Sequence, residues 1–316
     1  MRHHVLIPAA ALLAVAACRE PEQFKEPQKL GGKMVDAATL NNGRVAYVQY
    51  CRTCHGDKGE GNGPASPGLR PPPRNFTLGE FKFAGVMDNK LPRDEDLVRI
   101  VKGGLHGTAM LAWDVPDNKL HEIIQYIKTL SDKWKEDDAV GEPVVLAPNP
   151  WPGKEKAAIE RGKRLYHGYA QCLTCHAAYA TKQEIYDASK ELAGTGTTDF
   201  RDNMYQPELK DSDYGVKVLP PDFLFNELRS IHRGTDTELA DVYRILVAGV
   251  TGAAMPSWNA DALPNKTDDL WALAYYVKSL TDLRNTPGSW ALRQQLATQA
   301  AFVPPPEPAD APAPTP

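Results

Sequence analysis

Two short stretches of this chain repeat the same arrangement of sulfur and nitrogen side chains. Residues 51–55 read C-R-T-C-H and residues 172–176 read C-L-T-C-H. Thiols three residues apart lie on one side of a helical turn, where both can form thioethers to the vinyl groups of one haem, and the adjacent imidazole faces the iron. This spacing is the attachment signature of c-type haem, and its repetition predicts two covalently bound haem c groups. The residues concerned are Cys51, Cys54, His55, Cys172, Cys175 and His176.

Three other kinds of site share the C-x-x-C spacing. A thioredoxin-like redox pair needs a preceding strand, and neither motif follows a β-branched run. One shared zinc ion is disfavoured because 118 residues separate Cys54 from Cys172, far more than in zinc ribbons. Two plain disulfides would leave both histidines unexplained. Haem attachment is the favoured interpretation because the motif is doubled and each copy has matching surroundings.

Those surroundings form an internal repeat. Segment 99–113 aligns without a gap to segment 244–258 at an offset of 145 residues, whereas the two C-x-x-C-H motifs are offset by 121. The second copy therefore contains 24 additional residues, largely within 177–219. Both segments include the pattern Gly-x-Ala-Met-x-x-Trp, which contains Met110, Trp113, Met255 and Trp258.

Helices are the elements expected to position these residues. One is predicted over about 40–54 and its partner over about 157–175, with Val45 and Val48 repeating the spacing of the first cysteine pair on one face. Alternation typical of strands is scarce, so the fold is expected to be mostly α. The last helix of each unit has an apolar stripe, predicted to pack against the first helix, made of Leu120, Ile123, Ile124, Ile127 and Leu130, and of Leu270, Leu273, Val277 and Leu280.

These residues resemble the class I cytochrome c superfamily, whose small helical domains have an N-terminal C-x-x-C-H motif and a methionine loop before the last helix. The resemblance covers residues 39–136 and 157–285. It implies two tandem cytochrome c domains, the second carrying the insertion, joined by a proline-rich extended linker over 137–156.

The resemblance also implies the ligands of each iron. His55 and His176 would be the proximal ligands, and the methionine loops would place Met110 and Met255 at the distal positions. A methionine that only fills a gap in the core is the alternative. His/Met ligation raises the reduction potential of haem iron. The remaining histidines near these regions do not recur between the copies and are expected to be exposed or structural: His106, His121, His167 and His232.

Further residues would surround each haem. In this family a proline loop after the motif supplies the backbone carbonyl that accepts the proximal histidine's free N–H, and Pro64 or Pro67 fits that role in the first domain. The insertion obscures the equivalent residue in the second domain. Trp113 and Trp258 could pack on the haem edge or donate to a propionate, with core packing as the alternative.

The N-terminus indicates export. Residues 1–17 read as a signal peptide, because a basic start precedes an apolar run shorter than the ~20 residues of a spanning helix. The run ends V-A-A-C, similar to the bacterial lipoprotein cleavage box, so Cys18 is expected to carry lipid; ordinary cleavage leaving a spare thiol is the alternative. Residues 18–38 would then be a tether, and residues 286–316 a Pro/Ala-rich tail.

Composition narrows the function. The chain has 316 residues, enough for about two domains. Its 27 prolines favour extended connectors, and its net charge of −4 excludes the basic footprint of a nucleic-acid binder. An iron with both axial positions filled by protein has no vacancy for substrate, so an electron-transfer protein is expected rather than an enzyme.

The sequence therefore predicts a lipid-anchored dihaem cytochrome on the periplasmic face of a membrane in the bacterial envelope. It would carry single electrons between a donor and an acceptor of the respiratory chain. One alternative is a permanently bound cytochrome c subunit of a quinol-oxidising or terminal-oxidase complex. A second is a dihaem peroxidase, which needs one iron with an openable site. The 177–219 insertion would be either a docking surface or a solvated loop.

Overall fold

The computed structural model describes residues 24–306, so the predicted signal peptide over 1–17, Cys18 and residues 307–316 lie outside the described residues. The described chain is mostly helical, as predicted. Within it, no helix combines the length and apolar character needed to cross a bilayer. The strands and helices, in chain order, are β1 Gln28–Leu30, β2 Lys33–Val35, α1 Ala37–Tyr50, α2 Arg52–His55, α3 Asp94–Gly103, α4 Asp117–Lys128, α5 Glu155–Arg164, α6 Lys182–Ala193, α7 Glu238–Ala248, α8 Lys266–Asp282 and α9 Pro287–Ala297.

Two apolar cores form, one in each half of the chain. The first is built mainly on α1 and α4, and the second on α5, α7 and α8. In each half the helix before the C-x-x-C-H motif packs against the last helix of the unit. Nearly all residues of the two predicted apolar stripes on α4 and α8 are buried in these contacts, and Leu130 is half-buried.

Each of these helix pairs crosses at a glycine. A Cβ atom on Gly43 would lie 2.0 Å from the carbonyl oxygen of Glu122, and a Cβ on Gly162 would lie 2.0 Å from that of Ala272. Any side chain at these positions would force the helices apart. The close approach brings the motif-bearing turns into a fixed position against α4 and α8.

We expect Gly162→Ala to lower the free energy of unfolding by about 1–3 kcal/mol, because the added methyl group has no space at the crossing of α5 and α8. Denaturant-induced unfolding followed by circular dichroism measures the change. Lys156→Ala, at an exposed position of the same helix, is the control and should stay within about 0.5 kcal/mol of the parent. Equal stability of the two variants would contradict the assigned crossing.

The helix expected over 157–175 is interrupted. Residues 165–169 form a wider π turn, Gln171 has a positive φ of 48°, and Cys172–Thr174 form a 3₁₀ turn. The cause is a length difference, since the crossing glycine precedes the first motif cysteine by ten residues in the second unit and by eight in the first. A π turn absorbs additional residues without ending the helix abruptly.

The segment predicted as a tether is partly folded. Within residues 18–38, β1 and β2 pair as an antiparallel hairpin, and Leu30 is fully buried in the first core. The Gly31 N–H donates to the Trp134 carbonyl at 2.6 Å. The prediction of a free tether was therefore wrong for residues 24–38, because the apolar residues of this short hairpin complete the first core.

The face of α1 that carries Val45 and Val48 is exposed: these side chains are 62% and 40% exposed. The buried face instead presents Leu40, Ala46 and Tyr47. This difference arises because α4 covers α1 on the side of Gly43. The two valines therefore lie outside the first core and form an exposed apolar strip on the helix that precedes the first motif.

The connector over 137–156 runs without helix up to Glu155 and is held by both units. The Val144 N–H donates to the Gly85 carbonyl at 2.9 Å in the first unit. The Trp271 indole N–H donates to the Ala147 carbonyl at 3.0 Å in the second. These hydrogen bonds fix the connector against both units.

The predicted Pro/Ala-rich tail begins with an ordered helix. Within 286–316, α9 buries Leu296 against the second unit, and Phe302 contacts the rings of Tyr186 and Phe200. The first part of the predicted tail is therefore packed on the second unit. The apolar residues of the segment cover the surface of the inserted region.

Candidate functional site

The first motif lies where α1 ends. Cys51 follows the last residue of α1, and α2 carries Cys54 and His55. The Nδ1 atom of His55 lies 3.0 Å from the carbonyl oxygen of Arg74, and its ring stacks on Phe76 with centroids 4.5 Å apart. With the Nδ1 proton donated to a carbonyl, Nε2 keeps its lone pair for a metal.

The second motif repeats this arrangement. The Nδ1 atom of His176 lies 3.0 Å from the carbonyl oxygen of Pro221, and its ring stacks on Phe223 with centroids 4.8 Å apart. Burial lowers the pKa of both His55 and His176, although the carbonyl acts in the opposite direction. Both imidazoles are therefore suited to bind iron as neutral ligands.

Pro64 and Pro67, predicted to supply the accepting carbonyl in the first unit, do not take that role. Both are exposed, and the acceptor is Arg74. The two acceptors belong to repeated segments that sequence reasoning missed, Arg-Asn-Phe at 74–76 and Pro-Asp-Phe at 221–223, each preceded by proline. Their offset of 147 residues, close to the 145 of the methionine segments, is the signal that could have found them.

The four motif cysteines are free thiols, which argues against plain disulfides. Burial raises the pKa of Cys51 and of Cys172 to about 12, so neither is the low-pKa thiolate of a redox-active pair. Within residues 24–306, no group of three or more His, Cys, Asp or Glu side chains could hold a metal ion, so the two pairs do not converge on a zinc site. The three alternatives to haem attachment thus lose support.

The two methionine loops have the same backbone hydrogen bonds. The Met110 carbonyl accepts the Leu105 N–H at 2.7 Å, and the Met255 carbonyl accepts the Val250 N–H at 3.2 Å. The N–H groups of both tryptophans donate to the preceding helix, Trp113 to Val101 and Trp258 to Leu246, at 3.0 Å each. The repeat seen in the sequence is therefore also a repeat of three-dimensional structure.

A glycine starts each of these loops. Gly104 and Gly249 have φ values of 71° and 70°, and a Cβ on either would lie 2.9 Å from the carbonyl oxygen of the following methionine, Met110 or Met255. The left-handed conformation favours glycine at this position. It turns the chain from α3 or α7 directly into the loop that presents the thioether.

The structure brings the second set of predicted residues to one cavity of about 1300 Å³, whose wall includes Cys172, Cys175, His176 and Met255. The cavity wall is largely apolar, with Tyr166, Phe223, Leu246 and Leu273 among its residues. Two thiols, a free imidazole nitrogen and a thioether around an apolar space fit a covalently attached haem with His/Met ligation. The first-unit set Cys51, Cys54, His55 and Met110 does not line this cavity.

The tryptophans differ between the units. Trp258 lines the cavity and packs against the second core, whereas Trp113 is 44% exposed. The two residues share the backbone hydrogen bond from their N–H group to the preceding helix, but their indole rings have different surroundings.

The other four histidines have different surroundings. His167 is buried, its ring nitrogens bonded to the Lys163 carbonyl and the Tyr179 N–H, and burial lowers its pKa to about 4. His232 pairs with Asp241 at 2.8 Å, and the ring of His106 packs edge-on against that of His232 where the two units meet. His106 also lines the cavity of the second unit, and within the described residues its buried Nε2 has no hydrogen-bond partner. His121 is exposed.

The insertion folds back on the second unit. It carries α6, and the tyrosines in or near it are half-buried or buried, with Tyr179 in the core. Met204 is also buried there, and Tyr214 contacts the first unit. The inserted residues enlarge the second core and close one side of the cavity.

Comparisons with known proteins point to the same chemistry. Residues 38–127 match the family model Cytochrome C oxidase, cbb3-type, subunit III. These residues contain the first motif and Met110, and the similarity to a cytochrome c domain implies covalently bound haem c and a function in electron transfer. No curated protein sequence matches this chain.

One similar solved structure is a chain of the Kuenenia stuttgartiensis reducing HAO-like protein complex. The two chains are 28% identical, with a TM-score of 0.58, and the match covers 76% of this chain and 95% of that one. Because residues 38–127 are less than a third of the sequence, this similarity extends beyond the region of the family match. The neighbour is a component of a redox protein complex.

Proposed function

We propose that this protein is a dihaem c-type cytochrome that is tethered to a membrane through Cys18 and carries single electrons between redox partners in the periplasm. It consists of two cytochrome c domains, over 39–136 and 157–285, with the hairpin of residues 28–35 added to the first. The observation that carries the proposal is the doubled arrangement of a C-x-x-C-H motif, a histidine fixed by a carbonyl and stacked on phenylalanine, and a methionine loop.

The side chains have separate roles in this proposal. Each cysteine pair holds a haem covalently, and His55 with Met110 and His176 with Met255 occupy the axial positions of the two irons. A haem held in this way supplies one-electron chemistry at its iron. The stacked phenylalanines and carbonyl acceptors fix the imidazole planes, and the filled axial positions exclude substrate.

A bound subunit of a larger oxidoreductase is the second candidate. It is favoured by the comparisons, because both the family model and the solved structure are named as components of complexes. Gentle detergent extraction followed by size-exclusion chromatography separates the two candidates. A shuttle should elute alone at the mass of one chain, whereas a bound subunit should co-elute with other polypeptides in fixed ratio.

Peroxide distinguishes an electron carrier from the dihaem peroxidase. We expect the visible spectra of the oxidised and half-reduced protein to be unchanged by hydrogen peroxide, since both irons have protein ligands on both sides. Turnover of peroxide with a reduced donor, or a spectral change at one haem, would contradict the proposed carrier.

The surroundings of His176 differ from those of His55 by one buried carboxylate. Asp222 follows the carbonyl acceptor Pro221, and it accepts hydrogen bonds from the Tyr179 hydroxyl at 3.0 Å and from Arg293 of α9 at 2.5 Å. In the first unit the equivalent residue is the neutral Asn75. The ion pair with Arg293 keeps the charge beside the second motif close to neutral.

We expect Asp222→Asn to raise and Arg293→Gln to lower the reduction potential of the second haem, each by about 59 mV, which is tenfold in the equilibrium constant. A negative charge near iron favours the oxidised state, and the two variants change that charge in opposite directions. Spectroelectrochemical titration measures both. Asn75→Asp is the matched variant and should lower the potential of the first haem; shifts of the same sign in Asp222→Asn and Arg293→Gln would contradict the argument.

A further inference from the structure

Three positive side chains lie where the cavity of the second unit meets the first unit. Arg74 and Lys82 of the first unit stand over the ring of Tyr214, with Cζ and Nζ 4.3 Å and 4.6 Å from its centroid. Arg229 lies on the same wall, together with the second-site residues Cys172 and His176. We call Arg74, Lys82 and Arg229 the junction cluster.

Within residues 24–306 the members of the junction cluster have no carboxylate partner. Burial, together with the charges of Arg74 and Arg229, lowers the pKa of Lys82 to about 8. Three positive groups that are partly withdrawn from water and repel one another need a negative group. Of the other cations on the cavity wall, Lys210 pairs with Glu208, Lys217 with Asp211 and Arg284 with Glu227. The exposed Arg70 donates to the Leu69 carbonyl and remains in contact with water.

Tyr214 connects the cluster to the methionine loop of the second site. Its hydroxyl donates to the Thr251 carbonyl at 2.5 Å, and a Cβ on Gly252 would lie 2.7 Å from its ring. The insertion therefore holds one aromatic ring between the cations of the first unit and the loop that presents Met255. This ring keeps Arg74 and Lys82 at the edge of the second cavity.

We propose that the junction cluster binds the propionate carboxylates of the haem attached to Cys172 and Cys175, so that the first unit completes the second haem site. The inference rests on the proposed function, since it requires a haem in this cavity. Haem c carries two carboxylates on the edge opposite its vinyl groups, and the cysteines hold the vinyl edge. Two negative charges at the junction would compensate most of the three positive ones.

The test uses the full-length holoprotein with Lys82→Met, and with Lys217→Met as the matched control from the same cavity wall. Loss of a cation beside the haem destabilises its reduced form. Spectroelectrochemical titration should show the potential of the second haem lower by about 59 mV in Lys82→Met, tenfold in the equilibrium constant, and unchanged in Lys217→Met. Lys82→Arg should restore it. The redox transition that belongs to the second haem is identified by its shift in the Met255→Ala variant.

Three results would overturn the inference while leaving two haems in place. In the first, the potentials of Lys82→Met equal those of Lys217→Met. In the second, the shift in Lys82→Met falls on the first haem. In the third, inorganic phosphate shifts the potential of the parent protein but not that of Lys82→Met, which would show that the cluster is a site for free anions. A chain without a second haem would overturn the inference and the proposed function together.

Discussion

Replacing Met255 by alanine is expected to convert the second haem iron from low-spin to high-spin and to lower its reduction potential by on the order of 0.2 V, since axial ligands vary haem potentials over about 0.8 V. The methionine loop would keep its shape, because it is held by backbone bonds such as that from Val250 to the residue-255 carbonyl. The iron would then be open to exogenous ligands. Visible spectra with and without carbon monoxide, and a redox titration, measure the change.

The chain offers two controls for this experiment. Met110→Ala should produce the same change at the first haem and leave the second unaltered. Met34→Ala, at a position that is 67% exposed, should change neither spectrum nor potential. If Met255→Ala keeps a low-spin spectrum and its parent's potential, the thioether is a packing residue and the assigned ligand is wrong.

The double variant Cys172→Ala, Cys175→Ala is expected to reduce the number of covalent haems from two to one and to unfold the second unit. Without the haem, the cavity of about 1300 Å³ would have to collapse or fill with water, and the apolar side chains of its wall would lose their contacts. A loss on the order of 5 kcal/mol or more is expected, as large as the stability of many domains. Haem staining after denaturing electrophoresis and limited proteolysis measure both effects.

The first unit should survive this change, because its core of α1, α4 and the hairpin is separate from the second core. A protease-resistant fragment that retains one haem is the expected product. Cys51→Ala, Cys54→Ala is the reciprocal variant and should spare the second unit. Two haems in the Cys172→Ala, Cys175→Ala protein would contradict covalent attachment at this motif.

Local spacing made the helices and the candidate ligand residues predictable. The motif cysteines, their histidines and the methionine segments recur at fixed intervals, and each lies where a short stretch of chain determines the geometry. The stripes on α4 and α8 were predictable for the same reason, since helical periodicity reports which face is buried.

Contacts between distant segments were not predictable in this way. Arg74 and Pro221 follow their histidines by 19 and 45 residues, so the insertion hides their equivalence when the two units are aligned on the histidines, and only alignment on the methionine segments brings it out. The hairpin of residues 28–35 has strands of three residues, too short to show alternation. Its place in the first core depends on Trp134, which is about a hundred residues away.

The junction between the units was the least accessible feature. The positions of Arg74 and Lys82 against Tyr214 arise from packing of one unit on the other, and no pattern within either unit encodes it. The same packing gives the insertion a structural role, since its residues close one wall of the cavity, and a further role as a docking surface stays a prediction.

Low-temperature electron paramagnetic resonance of the oxidised, full-length protein, with the haem-to-chain ratio measured on the same sample, tests the central claim most directly. We expect two haems per chain and two low-spin signals of the His/Met type. One haem per chain, a high-spin signal or a bis-histidine signal would contradict it.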